Sequence, residues 1–144
     1  NFWNLKRLNF LTIIIVVIIL ISCNYSDNPK YLSGYWEIVS VHLNEKELKN
    51  FPFNSTIDYF ILTDDDNGFR KKVKPRFDGN FDVTFHQIKF KIERNKNDIY
   101  LVYGEGENFI ESITKIDSLN LHLKNSEGYK YKYKRFYPKN YLDE

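Results

Sequence analysis

The sequence predicts an all-β domain, an antiparallel up-and-down eight-stranded barrel, behind an apolar N-terminal segment. Three observations predict it. Short runs rich in β-branched and aromatic residues recur at hairpin spacing, separated by Asn, Asp and Gly clusters that tolerate the positive φ of tight turns. Where alternation is clearest, Ile88, Phe90 and Ile92 interleave with Gln87, Lys89, Lys91 and Glu93, the period of two that turns one face of a strand toward a core. Beyond the N-terminus no stretch carries a long helical period. A meander with short turns closes on itself and leaves no exposed edge, which favours a barrel over a sandwich.

The first strand is expected over residues 35–43, a run free of Gly and Pro. Residues 44–50 are read as a helical turn ended by Phe51-Pro52-Phe53. A strand over 57–63 leads into Asp64-Asp65-Asp66-Asn67-Gly68, which has the residues of a turn. Strands over 69–73, broken by Pro75, and 81–85 flank the Asp78-Gly79-Asn80 turn, and the alternating run reaches Glu93. The remaining strands cover 99–103 and 109–116, then Leu119, Leu121 and Leu123 alternating with Asn120, His122 and Lys124, and last 129–136.

Ahead of the strands, Lys6 and Arg7 precede an apolar run over residues 10–21. That run is about twelve residues, short of the roughly 20 that a membrane-spanning helix needs. Leu20-Ile21-Ser22-Cys23 resembles the lipobox of bacterial lipoproteins. The resemblance implies a helical signal peptide over 1–22, cut before Cys23, which then carries a diacylglycerol and acyl lipid. Residues 23–30 would be a lipidated tether, 31–137 the barrel and 138–144 a C-terminal tail. The implied location is the cell envelope, lipid-anchored at the outer membrane. Because the chain opens at Asn1 and contains no methionine, a start upstream is expected. Cys23 is the only cysteine, so no intrachain disulfide supports the domain.

The chain has 21 basic and 19 acidic residues, and removal of Lys6 and Arg7 with the signal leaves the domain formally neutral. A neutral exported domain argues against nucleic acid as a partner. The interleaved Tyr129-Lys130-Tyr131-Lys132-Tyr133-Lys134-Arg135 is explained by period two, with tyrosines on one strand face and lysines on the other.

Gly34-Tyr35-Trp36 at the first strand and Arg135 at the end of the last resemble the Gly-x-Trp motif and closing arginine of lipocalins. The resemblance implies that Trp36 plugs one end of the barrel and that Arg135 packs over it in a cation–π contact. If Trp36 faces inward, period two carries Ser40 and His42 to the same face, joined by Tyr129, Tyr131 and Tyr133 as a ligand lining.

Other chemistry finds little support. With Gly68 at the sixth position of a calcium loop, Thr63 and Lys74 would fall where Asp and Glu are required. His42, His86 and His122 lie on separate candidate strands and make no short-range metal motif. Ser40, Ser112, Ser118 and Ser126 sit in no Gly-x-Ser-x-Gly context. The expectation is a monomeric, non-enzymatic protein without a cofactor, holding a small apolar or amphipathic ligand. The competing class is a filled barrel that binds an envelope protein as an assembly factor, inhibitor or immunity protein.

Overall fold

The computed structural model describes residues 1–3, 6–7, 9–10, 12, 27–106 and 109–142, with the side chains of Thr84 and Phe85 excepted. Cys23 and its tetrapeptide lie outside the described residues, as does most of the expected signal peptide. Among the described residues no helix is long and apolar enough to cross a membrane.

A 3-10 turn, Pro29–Leu32, starts the fold, with Asn28 as its cap. Nine strands follow: β1 Gly34–Leu43, β2 Lys46–Asn50, β3 Ile57–Leu62, β4 Asn67–Pro75, β5 Phe81–Asn95, β6 Asp98–Tyr103, β7 Phe109–Ile116, β8 Asn120–Asn125 and β9 Lys130–Arg135. Neighbours pair antiparallel in the order β2-β1-β3-β4-β5-β6-β7-β8-β9, and β1 also pairs with β9. That last pairing closes an eight-stranded barrel, because β2 and β3 share one edge of β1. Gly34 to Trp36 pair with β3, whereas Ser40 to Leu43 pair with β2.

The expected helical turn over 44–50 is therefore a hairpin. Asn44 and Glu45 both take positive φ, 49° and 63°, the conformation of a tight two-residue connection, and β2 is exposed throughout. Nothing packs over β2 to reward a helical stripe, while β1 offers it a free edge. The two short strands expected over 81–93 are one, since β5 runs unbroken from Phe81 to Asn95. Its register with β4 shifts between Lys71 and Val73, so the distal part of this hairpin forms an arm of its own. On that arm Phe81 stacks on Tyr35, which in turn stacks on Tyr59, both at 4.3 Å. The tail reaches the arm too: Asp78 bridges to Asn140, and the Tyr141 amide donates to the Phe77 carbonyl at 2.8 Å.

Inside the barrel Leu32, Trp36, Phe60, Phe90, Leu101, Ile116, Leu121 and Leu123 are buried in one cluster. Full burial of an aliphatic or aromatic side chain contributes about 1.5–3 kcal/mol, so this cluster is the main source of the barrel's stability. The polar stretch expected as a tether is partly built into the fold. Asp27 accepts a hydrogen bond from the Ile116 amide at 3.0 Å, at the end of β7.

Candidate functional site

One end of the barrel is stoppered. Trp36 is fully buried and its indole N–H donates to the Leu32 carbonyl at 2.8 Å, which ties β1 to the 3-10 turn. The Arg135 guanidinium lies 3.8 Å from the Trp36 ring centroid and donates to the carbonyls of Ser118, Ser33 and Tyr31. Trp36 and Arg135 are direct partners in the β1–β9 ladder. Gly34 makes this approach possible. Its φ is 124°, and a Cβ there would stand 2.5 Å from Arg135 Nη1, so only glycine fits.

Above the stopper the barrel axis holds charge. Arg70 Nε donates to Asp58 Oδ1 at 2.9 Å, Nη1 to Glu111 Oε1 at 2.9 Å and to the Tyr103 hydroxyl at 3.0 Å, and Nη2 to the Tyr133 hydroxyl at 2.9 Å. Asp58 and Glu111 are 1% and 2% exposed. Lys72 donates to the second oxygen of Asp58 at 2.7 Å. The guanidinium also lies 5.0 Å from the Phe60 ring centroid. Burial alone would disfavour the Arg70 cation, but the facing Tyr103, Tyr133, Asp58 and Glu111 outweigh it and hold its pKa well above the ordinary value. Burial likewise raises both phenols, offset in part by Arg70. Both therefore remain neutral hydroxyls, able to donate as well as accept.

Beyond this layer the barrel opens. Ile88 pairs with Arg70 and Phe109 with Tyr103, so both project from the inner face, yet they are 51% and 45% exposed. Tyr131, half-buried against the core, lies on the same side. Side chains on the inside of a barrel stay exposed only where nothing fills the space above them. At this end half-exposed apolar side chains form a wall beside a buried floor, the Arg70 guanidinium with its partners Tyr103, Tyr133, Asp58 and Glu111.

The residues expected to line a ligand site divide. Tyr133 is in the floor, Tyr131 in the wall, and Tyr129 is half-buried just outside β9. Ser40 and His42 are not in the lining. A register shift between Ile38 and Ser40 makes Val39 an extra residue, so Val41 opposes Tyr131 while Ser40 and His42 oppose Lys132 and Lys130 on the outer face. There Ser40 Oγ lies 2.9 Å from His42 Nε2. Period two holds only as far as the first bulge.

A family model described as a lipocalin-like domain matches residues 32–123. This chain belongs to the lipocalin-like family. The match covers the strand of Trp36, the three charged residues of the floor and the strands between them, and β9 with Arg135 lies beyond it. No curated protein and no solved structure matches significantly. A lipocalin-like barrel is compatible with a small apolar ligand.

Sequence reasoning missed the floor of this lipocalin-like domain, though a signal existed. Asp58 has the strand parity of Phe60 and Leu62, and Glu111 that of Ile113. A lone charge on the apolar face of a strand is the mark of a buried polar partner. Among the described residues no group of three or more His, Cys, Asp or Glu could hold a metal.

Proposed function

We propose that this lipocalin-like protein is a non-enzymatic carrier, held at the cell envelope by lipid on Cys23, whose open end takes up one small amphipathic molecule. The observation that carries the reading is the half-exposure of Ile88 and Phe109 on the inner face, where they are the ladder partners of Arg70 and Tyr103. An apolar ligand body gains by covering these side chains, at about 25 cal/mol per Å² of apolar surface removed from water. Its polar end meets the Tyr133 hydroxyl, which accepts from Arg70 and has its own proton to donate. Arg70 is neutralised by Asp58 and Glu111, which favours a hydroxyl, amide or ester head over a free carboxylate.

The test is native mass spectrometry of the mature protein, released from detergent after incubation with a lipid extract of the producing bacterium. One bound small molecule per chain is expected, and Ile88→Asp and Phe109→Asp should each lower its occupancy. No retained molecule, or retention unchanged in both variants, would overturn the carrier reading in favour of a protein-binding barrel. For the anchor, Cys23→Ser should leave an unlipidated precursor. Mature acylated protein from that variant would refute it.

A further inference from the structure

We propose that the outer face of β7, β8 and β9 lies on an anionic phospholipid surface, so that the protein rests on its side against the membrane that anchors it. Register places Lys115 opposite His122, His122 opposite Lys132, and Lys124 opposite Lys130, all on the face turned away from the core. Among the described residues none of Lys115, Lys124, Lys130 and Lys132 forms an ion pair with a carboxylate. The carboxylates nearby are engaged at the margins. Glu37 pairs with Lys134 at 3.5 Å, Glu47 lies 3.8 Å from His42, and Asp117 accepts from the amides of its own turn. The field of the face is visible in His122, whose pKa is lowered to about 4 by burial and then by Lys132, Lys115 and Lys130.

Asp117 lies near enough to Lys115 to feel its charge, and Glu45 lines the same hollow as Lys124, Lys130 and Lys132, so four lysines face two carboxylates and the excess calls for an anionic partner. The position of the tether selects a membrane over a soluble acidic protein. Asp27 is fixed on the Ile116 amide, one residue from Lys115 at the edge of the lysine face. Asp27 follows Cys23 by four positions, a span of at most roughly 14 Å. A lipid on Cys23 therefore holds the bilayer surface beside this face, within reach of contacts that need near-surface lysines. This orientation rests on the anchor reading. It also leaves the open end of the barrel, away from the tether, free to exchange ligand.

The experiment is lysine footprinting with an acetylating reagent on the mature protein, reconstituted in phosphatidylcholine vesicles with or without phosphatidylglycerol. Lys115, Lys124, Lys130 and Lys132 should lose reactivity only when phosphatidylglycerol is present, whereas Lys89 and Lys91 across the barrel keep theirs. High salt should restore it. Replacing all four lysines with Gln should weaken vesicle binding that depends on phosphatidylglycerol by about 5-fold per lysine. Equal reactivity in both vesicles, or protection of Lys89 and Lys91 instead, would overturn the proposal. Intact mass of the same sample reports lipid on Cys23 independently, so a failed anchor and a failed face are told apart.

Discussion

Replacing Arg70 with Met tests whether the charged layer is a coupled unit or an incidental set of contacts. The substitution keeps an unbranched stem but removes four hydrogen bonds and a cation that contacts both acidic groups. Asp58 retains Lys72, which is half exposed, whereas Glu111, at 2% exposure, retains the Tyr103 hydroxyl. Removing one partner of a buried ion pair costs about 3–5 kcal/mol, chiefly because the other charge is stranded. Lys72 should hold the loss toward the lower end, about 3 kcal/mol, a large share of the roughly 5–15 kcal/mol of a small domain. Guanidinium unfolding followed by Trp36 fluorescence measures it. The indole is fully buried, so its emission reports the barrel. Combining Arg70→Met with Asp58→Asn and Glu111→Gln removes the stranded charges, and should recover most of the loss. A cost below about 1 kcal/mol for Arg70→Met, or no recovery in the triple variant, would refute the account.

Three further outcomes follow from the geometry. In a double-mutant cycle, Trp36→Ala and Arg135→Ala should couple by about 0.5–2 kcal/mol, whereas Trp36→Ala with Lys91→Ala should add; equal additivity in both cycles would dissolve the contact. Gly68→Ala would set a Cβ 2.4 Å from the Ile61 carbonyl and 2.5 Å from the Phe90 ring, so a loss of about 1–3 kcal/mol is expected in the denaturation midpoint. For His122 the folded pKa of about 4 lies below the ordinary 6.5, so the unfolded chain binds the extra proton. The His122 contribution to stability is therefore intact above about pH 6.5 and is lost as pH falls toward 4. Proton NMR should show the ring neutral at pH 6, and Lys132→Gln should move its titration upward; a titration near 6.5 would contradict the packing of this face.

The barrel class was legible in the sequence because alternation and turn chemistry are local. Ile88, Phe90 and Ile92 declare one buried face without reference to any partner, and Asn and Gly at the turns need only their own φ. The stopper was readable through its resemblance, since Gly34, Trp36 and Arg135 keep their spacing along the chain. What the chain order could not give was anything decided across strands. The extra residue at Val39 is defined only by the facing β9, yet it moves Ser40 and His42 from the lining to the outer surface. The hairpin at β2 depends on an edge of β1 of which β3 occupies only the other half. Most of all, the charged floor joins Asp58, Arg70 and Glu111 from β3, β4 and β7. Each alone has the composition of a solvated surface; the β3–β4 hairpin brings Asp58 to Arg70, and only closure of the barrel brings Glu111 from β7 to 2.9 Å from the same guanidinium, where desolvation makes pairing obligatory.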